Sequence, residues 1–181
     1  MALKTEARSK LLQRQTFPGG VDNTTLTGNV TLSRKSAQRQ RIDPAGNRNV
    51  TLYDVDGNDD DGDWFEFTNR ADAAETITVL NAAAATICAL PRGGWARVSV
   101  QSGAWAVESA DVVLAEATGT GAGQNVAHGL GVVPGAVQIS ITELPDAAAE
   151  TGFDVAEGTH TATNVVVTVT TTVKFVARVR V

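Results

Sequence analysis

The sequence predicts an all-β protein, and three observations carry that reading. Short runs of Val, Thr, Ile and aromatic residues alternate with clusters of Gly, Pro, Asn and Asp, the residues that tolerate or preset turn dihedrals. From Val165 to Val181 the chain alternates strictly, with Val165, Val167, Val169, Thr171, Val173, Phe175, Ala177, Val179 and Val181 on one parity. The apolar share is 43% but the aromatic share only 5%, so the core must be filled by small and β-branched side chains. We expect two small antiparallel β-sandwich or barrel-like domains, 25–108 and 109–181, preceded by an extended basic N-terminal arm, 1–24. A length of 181 residues suffices for one or two cores.

Residues 1–20 show no strand alternation. Leu3, Ala7 and Leu11 recur at helical spacing, but an isolated helix this short is marginal, and Phe17-Pro18-Gly19-Gly20 ends it. The segment reads either as a disordered tail or as an arm that orders only on a partner. Leu26–Leu32 reads as a strand with a bulge at Gly28, and Gln38–Asp43 as a half-exposed strand. Asp43-Pro44-Ala45-Gly46-Asn47 then makes a turn, because Pro presets φ and Gly follows. Six strands follow over 49–53, 64–69, 76–80, 85–90, 95–100 and 104–107. Within the second of these, Phe65 and Phe67 share one face while Trp64 and Glu66 share the other. The flexible stretch Ala117–Gly123 follows the boundary near Ser109. As a single strand the C-terminal stretch would span about 55 Å, so a hairpin turning near Thr171 and Thr172 is expected.

Charge is unevenly distributed. Nine basic and three acidic residues precede Asn49, leaving six basic and seventeen acidic in the remainder, which makes the N-terminal part about +6 and the rest about −11. The net charge of −5 gives no reason to expect nucleic acid as a partner, and basic residues in the arm are not interleaved with aromatic ones. One Cys cannot form an intrachain disulfide framework. No apolar run reaches membrane-span length, and the N-terminus lacks a signal-peptide core. We therefore expect no membrane partner and synthesis in a cytoplasm.

Candidates for chemistry are weak. The acidic run Asp54–Asp63 invites a calcium reading, but the sixth position is Asp59 rather than Gly and the twelfth is Phe65 rather than Glu, so a solvated interstrand loop is expected. Cys88, between Ile87 and Ala89, reads as a small buried hydrophobe. His128 reads as a residue bracing a turn, and His160 lies in a second turn. The pairs Glu143/Asp146 and Glu150/Asp154 have no accompanying nucleophile or phosphate cradle. We expect no catalytic, metal or cofactor-binding residues, and no enzyme.

Two stretches carry a resemblance. From Asp43 to Trp105 the order runs Asp-Pro-x-Gly, then Arg-x-Val-Thr-Leu and a variable loop. It continues with Gly-x-Trp-Phe-x-Phe-x-Asn-x-Ala-Asp-Ala-Ala-Glu-x-Ile-Thr-Val, a Gly-rich turn and a strand ending in Trp. This third of the chain resembles the β-module of tailed-bacteriophage virion proteins, notably head decoration (cement) proteins, and of head and tail fibres. Asn125–Ile141, with His128-Gly129-Leu130-Gly131 and Pro134, resembles a turn in small β-sandwich domains of phage tail fibres. In it Leu130 is expected to plug the core. The resemblance implies a structural virion protein, a homotrimer seated on the major capsid protein and stabilising the shell. The basic N-terminal region, with Lys4, Arg8, Lys10, Arg14, Arg34 and Lys35, is then expected to contact the partner. The alternative is a tail-fibre or head-fibre component binding a host-surface glycan. That would need an exposed aromatic platform from Trp64, Trp95 or Trp105, which as strand residues are expected in the core. A polysaccharide hydrolase is the third reading, and its paired acids lack a supporting motif.

Overall fold

The computed structural model describes residues 20–144 and 152–181, and these are essentially all β. The first six strands are β1 (Val21–Leu26), β2 (Val30–Thr31), β3 (Arg39–Pro44), β4 (Arg48–Thr51), β5 (Trp64–Asn69) and β6 (Ile77–Leu80). They wind as a solenoid of three rungs. Odd strands stack in one sheet in the order β1-β3-β5 and even strands in another in the order β2-β4-β6, all pairings being parallel. This corrects the antiparallel arrangement expected from sequence. Period-two alternation is the same for both pairings. Parallel neighbours need a connection that crosses over, and here each rung's visit to the opposite sheet supplies it.

The supposed bulged strand 26–32 is two strands in two sheets, with Thr27–Asn29 as the corner between them. The arm likewise ends earlier than expected, since Val21–Thr24 already belong to β1. Val21 pairs with Arg39, 18 residues on, whereas Arg39 pairs with Glu66, 27 residues on. The excess is the acidic run 54–63, an insertion in the second winding. Asparagines fasten successive rungs at the corners: Asn49 N–H donates to Asn29 Oδ1 and Thr76 N–H to Asn47 Oδ1, each at 2.9 Å.

The rungs bury aligned side chains between the sheets. Val30, Val50 and Val79 are register partners, and Val50 and Val79 are fully buried. Opposite them stand Ile42, Phe65 and Phe67, also buried. Burying a Phe or Leu side chain is worth about 1.5–3 kcal/mol, so this stack dominates stability. The winding ends by reversing direction. Strand β7 (Thr86–Leu90) lies antiparallel on β6, and β8 (Trp95–Gln101) antiparallel on β5.

Next comes β9 (Ala104–Val113), which pairs with β8 along one edge and with β15 (Lys174–Arg180) along the other. The boundary drawn near Ser109 therefore falls inside β9. The large sheet runs across it, and one buried cluster contains both Leu90 and Val98 and, from the C-terminal third, Leu130, Val165, Ala177 and Val179. The remaining strands are β10 (Ala117–Thr118), β11 (Gly123–Ala127), β12 (Ala136–Glu143), β13 (Val155–Glu157) and β14 (Asn164–Val169). Strands β10 and β12 join β15, while β11-β14-β13 form a separate small sheet. Val167, Val169, Val173 and Phe175 fill the space between. The inward parity of the C-terminal stretch is as expected, with Val165 through Val179 buried at every second position except Thr171. The break at 170–173 is also as expected, but β14 and β15 lie in different sheets, so the turn crosses the sandwich instead of closing a hairpin.

The His-Gly-Leu-Gly turn joins the two halves. Gly129 O accepts from Ala89 N–H at 2.6 Å, and Leu130 is fully buried. Gly129 and Gly131 have φ of 70° and 71°, and a Cβ on Gly131 would sit 2.6 Å from the carbonyl oxygen of Ile87. Both the dihedral and the space demand glycine. Gly131→Ala is expected to cost more than about 2 kcal/mol of unfolding free energy, because a backbone oxygen cannot swing away as a side chain can. Urea denaturation checks this.

Candidate functional site

The acidic insertion is tied into the fold rather than fully solvated. Gly57–Asp60 form a single 3-10 turn, and Asp60 and Asp63 are buried. The Asp60 carboxylate receives the Arg34 guanidinium and, at 2.6 Å, the N–H of Asp56. Asp63 receives the Tyr53 hydroxyl at 2.5 Å, and Asp61 the N–H of Gly103 at 2.9 Å. Arg34 also lies 5.1 Å above the Tyr53 ring. Burial first, and the bond to Asp63 second, push the Tyr53 hydroxyl well above the ordinary tyrosine range. The carboxylates of Asp60, Asp61 and Asp63 are thus engaged within the protein.

Beside this loop lies a cleft of about 160 Å³, walled by Tyr53 and Trp105 and flanked by Asp54, Asn81 and Gly103. The two rings meet edge to face with centroids 5.3 Å apart, and the Phe65 ring lies tilted by 38° against Trp105 at 5.7 Å. Trp105 Nε1 donates to the Tyr53 carbonyl at 3.1 Å. The donor hydrogens of both rings are thus engaged within the protein.

The outer face of the large sheet departs from expectation. Trp64 and Trp95 alternate with the buried Phe65 and Ala96, which places both tryptophans, half-buried, on the outside. Only Trp105 packs against the core. Alternation along β5 and β8 wins over the general preference of Trp for burial. The Arg97 guanidinium covers Trp64 at 4.3 Å, and a row of charges crosses the sheet from Arg39 through Glu66 and Arg97 to Glu108. Farther along the same sheet Asp111 takes a bidentate pair from Arg178 at 2.7 and 2.6 Å, which holds its carboxyl below the usual range.

Of the expected contact residues, Arg34 clamps the acidic loop while keeping half of its side chain exposed, and Lys35 is exposed beside it. Lys4, Arg8, Lys10 and Arg14 lie outside the described residues, as do Asp146 and Glu150 of the carboxylate pairs. His128 braces its turn as expected. It is buried, its Nδ1 accepts from Leu130 N–H at 3.2 Å and its Nε2 donates to Thr161 O at 3.1 Å, leaving no nitrogen for a metal. His160 Nδ1 likewise accepts from Val166 N–H at 3.1 Å.

One cluster was not visible in the sequence. Asp43, Asp72 and Glu75 bring carboxylate oxygens within 4.8 Å of one another where the turn after β3 meets the 70–76 connection. Glu75 Oε1 accepts from Gly46 N–H at 2.6 Å, so this glutamate holds the turn. Three oxygens, one on an exposed Asp72, fall short of a hard-cation shell. Next to it Asn69, buried, donates to Glu75 O and Leu90 O at 2.8 and 2.9 Å and accepts from Ala71 N–H at 3.0 Å.

Comparison with known protein families, with curated proteins and with solved structures found no match. Among the described residues no helix is long and apolar enough to cross a membrane.

Cys88 is fully buried, and burial pushes its thiol up to about 12. A folded value raised above the unfolded one stabilises fully below about pH 9, and that stability is lost as pH rises from there toward 12. Unfolding free energy should thus fall with a slope approaching 1.4 kcal/mol per pH unit above about pH 9 from this group. Cys88→Ala should remove that share of the slope, as measured by urea titrations at pH 8 and pH 10.5. An unchanged slope in the variant contradicts the assignment.

Proposed function

We propose that this chain is a non-catalytic structural component of a tailed-phage particle, a decoration protein that binds the head surface as a trimer and stabilises the shell. The observation that carries the reading is the role of the residues in which the resemblance resides. At a rung corner the Asn69 amide donates to the Glu75 and Leu90 carbonyls and the Glu75 carboxylate accepts from Gly46 N–H, and Phe65, Phe67, Ile77 and Val79 fill the solenoid. These are the parts of a rigid scaffold whose work is done by its surface.

Two surfaces suit assembly. The outside of the large sheet presents Trp64, Trp95, Arg39 and Arg97, and Trp and Arg are the side chains enriched in the cores of protein interfaces. The basic N-terminal region, ending in the exposed Lys35, complements an acidic shell and would speed encounter more than it deepens affinity. Shell stabilisation in this reading is binding energy: each subunit bridges neighbouring capsomers, and symmetric association closes the ring.

The test is incubation of purified protein with undecorated heads, followed by sedimentation and electron microscopy. Saturable binding at symmetry axes is expected, with a raised temperature of head rupture. Replacing Lys4, Arg8, Lys10 and Arg14 together by Ala should lower the association rate about tenfold or more at low salt and erase most of its salt dependence. Absence of binding to heads, together with binding to intact host cells, contradicts decoration and favours the fibre.

A further inference from the structure

We propose that the cleft between Tyr53 and Trp105 binds a single pyranose ring, as one residue of a glycan chain. The inference stands apart from the assembly reading, since it concerns a different surface and a small ligand.

The chemistry of the walls selects the ligand. Both aromatic donors at the cleft are spent, since the Tyr53 hydroxyl donates to Asp63 and Trp105 Nε1 donates to the Tyr53 carbonyl, so these two walls contribute mainly ring carbon, with Arg34 covering one face of Tyr53. Among the described residues the Asp54 carboxylate has no hydrogen-bond or ion-pair partner, unlike Asp60, Asp61 and Asp63 of the same loop. Asn81 Oδ1 accepts from Ala85 N–H at 2.9 Å, which leaves its Nδ2 as a donor beside the cleft. Apolar ring faces flanked by one acceptor and one donor match a ring with C–H groups on its face and hydroxyls on its rim.

A quaternary ammonium ion, the other common guest of aromatic walls, would gain from Asp54 but would oppose the Asn81 donor. Size argues likewise for one ring: about 160 Å³ lies below the roughly 300–1,000 Å³ of sites that enclose drug-sized molecules. The cleft is also firmly built. The engaged carboxylates of Asp60, Asp61 and Asp63 fix the insertion against Arg34, Gly103 and Tyr53, so little ordering remains for a ligand to impose.

The experiment is a titration of the ¹⁵N-labelled full chain with methyl glycosides of glucose, galactose, mannose and N-acetylglucosamine, and separately with tetramethylammonium. At least one glycoside should shift amides of 53–55, 81–84 and 103–105 with millimolar affinity. Two variants leave the core untouched. Asp54→Ala removes the acceptor, and Asn81→Asp keeps the acceptor for Ala85 while removing the donor. Each should weaken binding about threefold to tenfold, the loss of one hydrogen bond, with an unchanged Tm. No shift with any of the four glycosides, shifts with tetramethylammonium alone, or variants that bind as the wild type does would each overturn the proposal.

Discussion

The wound, parallel stacking of β1, β3 and β5 against β2, β4 and β6 is the constraint from which the rest of the architecture follows. A solenoid rung cannot bury its own inner face, and it leaves an open edge at each end of the stack. The last rung here is closed by strands that run the other way, β7 over β6 and β8 over β5. That reversal turns the sheet from parallel to antiparallel, so β9 can pair with β8 through a two-residue turn at Ser102 and Gly103, both at positive φ. Because β9 is ten residues long, its far end reaches β15 and carries the large sheet into the C-terminal third.

The C-terminal sandwich is thereby built onto an existing sheet. The His128–Gly131 turn supplies a second attachment by placing Leu130 in the solenoid's cluster and bonding Ala89. Functional surfaces are left at the margins of this rigid body. The acidic insertion sits where the second winding returns to the large sheet. There Tyr53, Phe65 and Trp105, a third of the aromatic residues in an aromatic-poor chain, gather beside the cleft.

Much of this was legible in the sequence, for definite reasons. Trp64–Asn69 is a strand with the bounds read from its alternation, and Phe65 and Phe67 face inward as their parity requires. Cys88, His128 and Leu130 have the structural roles their neighbours imply. Strand direction was not legible, because alternation fixes which face a side chain takes and says nothing of which way its neighbour runs. The corner at Thr27–Asn29 was hidden for a related reason: a residue at which the chain changes sheets looks like a bulge within one strand. The outward Trp64 and Trp95 run against what their residue type implies, although the parity of 64–67 already set Trp64 opposite the inward Phe65 and Phe67. The internal use of Asp60 and Asp63 depends on Arg34 and Tyr53, brought together only by the winding. The Asp43–Asp72–Glu75 cluster, assembled from two rung corners, has no sequence signature at all.

A single wound core, continued through β9, makes the two halves one cooperative unit. Urea unfolding followed by tryptophan fluorescence, which reports on 64–105, and by hydrogen exchange of Val165–Val179 tests it most directly. Coincident midpoints and a single free energy are expected for both probes. A C-terminal third that exchanges its protons in a separate, lower transition while the tryptophan signal stays native would contradict it.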